Sequence, residues 1–294
     1  MPRPTLFRSK RAPRPTHESP IATAATDDGA AGPPLISARS VAKAYRTGDV
    51  VVEALRGVDL DVAAGEFVVI MGPSGNGKTT LLNCCSGIDD IDDGRVEIDG
   101  LDIHGLSDRA RTSHRVQRMG FVFQSFNLIP VLNAAENCEL PLLAAGAKPR
   151  EARRRAVELL NRVGLGDRAR HRPAELSGGE QQRVAIARSL VSDPAVVWAD
   201  EPNGNLDSRT AESVIELFEE VNAGGQTLVV VTHDASIGQR VDRVVTVGDG
   251  LITDVRRNDR ARPPGMGADG PAEREPAVAG AAPGASGAPT EPSP

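Results

Sequence analysis

The chain is short of cysteine. Three residues, Cys84, Cys85 and Cys138, stand among 294, and no two of them make a CxxC pair. An odd, low count excludes a disulfide framework and a zinc ribbon, and it suits a reducing cytosol. Adjacent Cys84 and Cys85 read as small apolar filler on a buried helix. Long hydrophobic runs are also missing. The most apolar stretches, FVVIM at 67–71 and AVVWA at 195–199, have the length of strands. No window approaches the eighteen or so apolar residues of a membrane span. The basic N-terminal stretch is followed by no apolar segment, so a secretory signal is not expected. No internal repeat is visible. Excess positive charge is absent too, since the net charge is −6, which argues against a protein that coats nucleic acid.

What is present divides into three parts. Residues 1–34 are rich in Pro, Ala, Arg and Thr, and residues 257–294 in Pro, Ala, Gly and Glu. Neither segment holds enough large apolar side chains to offset its ordering entropy, so both are expected to be disordered. The basic N-terminal tail reads as solvated, with contact to anionic lipid the other reading. Between the tails, residues 35–256 alternate strand and helix signals. FVVIMG (67–72), RMGFVFQ (118–124), AVVWADE (195–201) and QTLVVVTHD (226–234) are continuous apolar strands. Such strands imply a mostly parallel sheet covered on both faces. RVVTVGDGLITDV (243–255) reads as an edge hairpin around Asp249-Gly250. LISARSVAKAY and VVEALRGVDLDV read as antiparallel strands. From about 125 to 178 the pattern turns helical. PREARRRAVELLNRVG (149–164) places Ala156, Leu159, Leu160 and Val163 on one stripe, leaving Arg153, Arg154 and Arg155 as a solvated face.

The chemistry concentrates at strand ends. Gly72-Pro73-Ser74-Gly75-Asn76-Gly77-Lys78-Thr79-Thr80 follows one strand and opens a helix, the context that makes a phosphate loop credible. Its glycines let backbone N–H groups close around phosphate oxygens, and the helix N-terminus adds a positive dipole end. Lys78 supplies a point charge for the β- and γ-phosphates, and Thr79 a hydroxyl for Mg²⁺. Asp200 emerges at the carboxyl end of AVVWADE, where ligands bind in open α/β sheets, and is suited to the Mg²⁺ shell. Glu201 is placed to orient or deprotonate a water beside the γ-phosphate. Gln124 and His233 end two more strands at the same edge. A Gln carbonyl can ligate Mg²⁺, and a neutral His can bond a γ-phosphate oxygen or a neighbouring carboxylate. Far along the chain, Ser177, Gly178 and Gly179 precede a second helix in a turn of the same phosphate-binding type. The groups already named complete one site. A two-fold dimer, in which each chain's turn closes on the γ-phosphate held by the other chain's loop, accounts for the second turn.

GPSGNGKTT, FVFQ, LSGGEQQRVAIAR, ADEPNGNLD and VTHD occur in the order found in the ATP-binding-cassette ATPases, which the chain resembles from about Leu35 to Val255. The resemblance implies an α/β fold: a RecA-like P-loop NTPase core, an antiparallel β subdomain and a helical subdomain. It implies ATP hydrolysis with Mg²⁺, Tyr45 stacking on adenine, and Asn205, Leu206 and Asp207 crossing the dimer interface. Asp207 can equally cap a helix whose apolar stripe is Ala211, Val214, Ile215 and Phe218. Gln124 would open the segment facing a membrane partner. FVFQSFNLIPVLNAAENCELPLL and EPNGNLD look like the branch that powers lipoprotein release and macrolide export. That branch works with integral membrane permease-type proteins carrying an extracytoplasmic region. The expectation is therefore a cytoplasmic ATPase, peripheral on the inner face of the membrane. Asn76 and Asn203 depart from the family pattern without removing a catalytic group. Force transmission to a membrane protein without solute transport is an alternative. A soluble ATPase acting on DNA or ribosomes is another, but the coiled coils or second cassette of such proteins are absent.

Overall fold

The computed structural model describes residues 33–259. The tails expected to be disordered lie outside that range, except for residues 33–34 and 257–259. Arg257 is still part of a strand.

Two sheets form the frame. One has four antiparallel strands in the order β2-β1-β4-β5: β1 (Ile36–Thr47), β2 (Val50–Val62), β4 (Asp93–Ile98) and β5 (Leu101–Asp102). The other has six, in the order β10-β9-β3-β8-β7-β6. Its strands are β3 (Phe67–Met71), β6 (Met119–Phe123), β7 (Val196–Asp200), β8 (Thr227–Val231), β9 (Arg243–Gly248) and β10 (Leu251–Arg257). The four pairings from β9 to β6 are parallel, and β10 closes the edge antiparallel. The β9–β10 turn sits at Asp249 (φ 48°) and Gly250 (φ 73°), the doubly left-handed geometry that Asp-Gly favours in a two-residue hairpin.

Period-two alternation distributes the apolar strands between two cores. Val68, Ile70, Val196, Trp198, Val229 and Val231 face the antiparallel sheet and α1 (Lys78–Cys85). Phe67, Val69, Val197, Ala199, Leu228 and Val230 face α6 (Ser208–Ala223), through its Val214, Ile215 and Phe218. Burial on both faces is why these strands are apolar along their middles, with Thr227 and Asp200 standing at strand ends. Cys84 and Cys85 are fully buried in the first core, as small filler should be.

Helices α3 (Ala134–Ala144), α4 (Pro149–Arg162) and α5 (Gly178–Leu190) pack around a third core holding Ala156, Leu159, Leu160 and Val163. Two expectations are corrected here. Residues 125–133 are not helical, and Phe126 (φ 58°) and Asn127 (φ 49°) both lie in the left-handed region. Arg153 does not simply face solvent, because its Nε and Nη2 grip Glu139 on α3 at 2.6 and 2.9 Å. Helix α2 (Asp108–Arg118) buries none of its residues.

Candidate functional site

Register brings the chemistry to one edge. Phe123, Asp200, Val231 and Ile70 lie side by side across β6, β7, β8 and β3. Gln124, Glu201, His233 and the loop from Gly72 therefore leave the sheet together at its carboxyl end, the ligand-binding edge of an open α/β fold.

The loop between β3 and α1 has the form of an anion cradle. Gly72, Gly75 and Gly77 have φ of 144°, 81° and 93°, in the region that L side chains avoid. Space forbids a side chain as firmly as conformation does. A Cβ at Gly72 would lie 2.0 Å from the Val247 carbonyl oxygen, and one at Gly77 would lie 2.3 Å from that of Ala54. Asn76 lends its carbonyl to the Gly250 N–H at 3.3 Å, so the β9–β10 hairpin braces the loop. Pro73 and Ser74 are exposed at its crest. Lys78 is 8% exposed and donates to the Pro73 carbonyl at 2.9 Å, which curls its ammonium into the loop.

At the head of α1, the Thr79 hydroxyl donates to Asp200 Oδ1 at 3.0 Å. Burial raises the Asp200 carboxyl above the usual carboxylate range, with Glu201 alongside adding to the effect, while the Thr79 bond and Lys78 oppose it. A hydroxyl and a partly desolvated carboxylate are the hard oxygen donors that Mg²⁺ takes, so the residues present fit that ion. Among the described residues no three His, Cys, Asp or Glu side chains converge on a metal position. Gln124 departs from expectation. Its amide donates to Asn205 Oδ1 at 3.3 Å, and Asn205 Nδ2 donates back to the Gln124 carbonyl at 3.0 Å. The side chain expected on the metal is thus tied, in this conformation, to the segment after Glu201.

Glu201 sits at φ 46°, a left-handed conformation that costs a non-glycine residue energy and persists only where its surroundings enforce it. Its N–H donates to the Val231 carbonyl at 2.9 Å, and its carbonyl accepts from Gly204 N–H at 3.0 Å. Glu201 Oε2 lies 2.9 Å from His233 Nδ1. Of the two partners open to His233 from sequence, the single chain shows the carboxylate. Asn203 donates to Asp234 Oδ2 at 3.1 Å, joining the segments that carry Glu201 and His233.

Tyr45, near the end of β1, is 40% exposed. Its hydroxyl donates to Asp89 at 2.6 Å, and Lys43 Nζ lies 5.2 Å from its ring centroid and also donates to Asp89. Asp89 lies just beyond the C-terminus of α1, so Tyr45 stands beside the helix that the phosphate loop opens.

The second glycine turn lies at the head of α5. Ser177 is the N-cap, in a reciprocal capping box with Glu180. The Ser177 hydroxyl donates to Glu180 Oε2 at 2.9 Å, and bonds from the Ser177 backbone and side chain hold the Glu180 carboxyl below its ordinary range. The hydroxyl expected to meet phosphate is thus committed within the single chain. Gly179 has a packing requirement of its own, since a Cβ there would lie 2.2 Å from Thr210 Cγ2 at the start of α6. Gly178 packs beside Leu206. Asp207 caps α6, accepting from Arg209 N–H at 3.2 Å and Thr210 N–H at 3.1 Å. Sequence reasoning missed Gln182. It is fully buried on α5 and donates to the Pro202 carbonyl beside Glu201 at 2.5 Å. A glutamine inside a helix carries no periodic signal that would reveal this.

Comparison with known proteins places this geometry. The ABC transporter family model matches residues 55–204. An uncharacterized ABC transporter ATP-binding protein of Thermotoga maritima is 50% identical over 215 residues, covering 73% of this chain and 92% of that protein. The lipoprotein-releasing system ATP-binding protein LolD of Alcanivorax borkumensis is 46% identical over 220 residues, 74% of this chain and 96% of LolD. The macrolide export ATP-binding/permease protein MacB of Brucella melitensis is 45% identical over 230 residues, 78% of this chain but only 36% of MacB. Among solved structures, the dimeric post-hydrolysis state of the ATP-binding cassette MJ0796 bound to ADP and Pi matches with a TM-score of 0.70 at 42% identity. The match covers 76% of this chain and 98% of that one.

Proposed function

The chain belongs to the ABC transporter family, as an ATP-binding and ATP-hydrolysing subunit, and from that premise we propose that two copies close around two Mg-ATP to drive an export-type membrane partner. The observation that carries this reading is the shared strand edge, with the glycine cradle, Thr79 on Asp200, and Glu201 on His233.

In this proposal Gly72, Pro73, Ser74, Gly75, Asn76, Gly77, Lys78, Thr79 and Thr80 hold the phosphates, and Tyr45 offers its ring to adenine. Lys78 releases the Pro73 carbonyl and turns its ammonium to the β- and γ-phosphates. Thr79 and Asp200 would hold Mg²⁺, with Gln124 joining them once it leaves Asn205; when bound, the ion neutralises charge on the phosphate oxygens. Glu201 accepts a hydrogen bond from the attacking water and orients it, and His233 holds Glu201 in place. Ser177, Gly178, Gly179 and Asp207 serve the site of the other copy, and the dimeric state of the MJ0796 cassette supports the pairing of two copies.

Residues 35–256 make up the cassette in this reading, with the helical subdomain at about 125–178. The membrane partner docks on the segment that Gln124 opens, where Ile129 is 41% and Val131 73% exposed. No helix of the described residues is long and apolar enough to cross a membrane. In this proposal a permease partner, which the name macrolide export ATP-binding/permease protein supports, holds the chain at the inner membrane face, and that partner carries an extracytoplasmic domain. The test is Glu201→Gln. With Mg-ATP it is expected to lose hydrolysis by about a hundredfold or more and to accumulate as an ATP-bound dimer. Undiminished turnover would overturn the role given to Glu201.

A further inference from the structure

We propose that Gln182 is a positioning residue for hydrolysis, holding Glu201 in its strained conformation through the Pro202 carbonyl and so fastening the catalytic carboxylate to the helix that begins at Ser177. The proposal rests on the assignment of Glu201 above.

The side chain is costly where it stands. Gln182 has no solvent exposure, and its Oε1 is buried with no hydrogen-bond partner. An unpaired buried acceptor is destabilising, and an apolar side chain of the same volume would avoid that cost. The amide is retained for its donor. That donor reaches one group, the carbonyl of buried Pro202, at 2.5 Å. Pro202 directly follows Glu201, so the bond fixes the peptide on the far side of a residue at φ 46°. On the near side, the Glu201 N–H is fixed to Val231 on β8.

The other restraints on this turn come from the segments beside it, namely Gly204 and Asn203 with Asp234. Gln182 brings in α5 by a hydrogen bond, beside the packing of Gly178 on Leu206. It lies one helical turn and a residue beyond Ser177, on a helix locked into the third core by Val184 and Ala187. A shift of the Ser177 turn when it meets a second copy moves α5 and reaches the peptide after Glu201 directly through this bond. The turn serving one nucleotide would thereby set the alignment of the carboxylate serving the other.

The test uses the full-length chain, with kcat and KM for ATP measured alongside the melting temperature. Gln182→Met keeps the length and removes the donor. It is expected to lower kcat by about ten- to hundredfold, the usual consequence of a carboxylate displaced by a fraction of an ångström. KM and melting temperature should stay near wild type. Gln182→Glu, which sets an acceptor against an acceptor, is expected to lower kcat at least as far. Glu201→Asp already misplaces the carboxylate, so adding Gln182→Met to it should cost less than about twofold more, because residues acting as a unit are not additive. Wild-type kcat in Gln182→Met would overturn the proposal. So would a loss that multiplies in full with Glu201→Asp, or one in which KM rises as the fold weakens, since each marks a packing role only. If Gln182→Met does not fold, the same criteria apply to Gln182→Glu. Undiminished turnover in Glu201→Gln would instead remove the assignment of Glu201 itself, and the two failures are told apart by that variant.

Discussion

At the scale of single residues, the site is an exercise in placing charge beside backbone. Lys78 is nearly buried, and its ammonium donates to the neutral carbonyl of Pro73. The ammonium is held in the mouth of a loop whose glycines expose their N–H groups, and that position is worth most when an anion enters. Lys78→Ala should therefore weaken ATP binding by about ten- to hundredfold, the range of one or two charge-assisted hydrogen bonds. The fold should be preserved, because the lost bond leaves only a carbonyl at the exposed crest. Titration with a fluorescent ATP analogue measures the change, and unchanged affinity would contradict the loop assignment. Much at this scale was legible in the sequence. Three glycines and a lysine at fixed spacing allow few backbone solutions, and the loop adopts one of them. Gln182, Asn203 and the bond between Gln124 and Asn205 were not legible. A hydrogen bond between groups 20, 31 or 81 positions apart leaves no trace in local spacing.

Elements follow the same division. β3, β7 and β8 were readable because a strand buried on both faces reads as a nearly continuous apolar run, broken here only at the ends by Asp200 and Thr227. Helix α4 was readable from its single buried stripe, whereas α2, DRARTSHRVQR, has no such stripe and buries no residue. The arginines of α4 mislead for a related reason. Periodicity points Arg153 away from the core stripe, but it cannot show that α3 presents Glu139 there. Glu139 is 8% exposed and receives both arms of the guanidinium. Arg153→Ala would leave a nearly buried carboxylate without its cation, which costs about 1–3 kcal/mol. Urea unfolding should show a lower midpoint. Hydrogen exchange should show the loss concentrated in α3 and α4, since the third core is separate from the two that enclose the six-stranded sheet. Arg154→Ala, whose pair with the exposed Glu158 at 3.9 Å is a weak surface contact, should change the midpoint little. Equal effects from the two would show that the ion pair contributes nothing.

For the molecule as a whole, the open matter is why one chain carries two phosphate-type turns. In the single chain the Ser177 turn is self-contained, with its hydroxyl on Glu180 and its glycines packed against Leu206 and Thr210. The phosphate loop is braced instead by the β9–β10 hairpin and by Asp200. Neither turn bonds the other. A two-fold pairing gives each turn a use in the partner's site, and an isologous interface makes both contacts from one surface. The distinguishing experiment varies charge while keeping the helix capped. Asp and Asn are both good N-caps, so neither Ser177→Asp nor Ser177→Asn should unwind α5. Only Asp sets a negative charge against the partner's phosphate, and juxtaposed like charges cost several kcal/mol at an interface. In a Glu201→Gln background with Mg-ATP, light scattering should therefore show a dimer weakened at least about tenfold further by Asp than by Asn. ADP affinity of the monomer should be the same in both, because that site contains no part of its own Ser177 turn. If Asp instead weakens ADP binding to the monomer, the turn acts within its own chain. The dimer would then lose the structural reason offered for it.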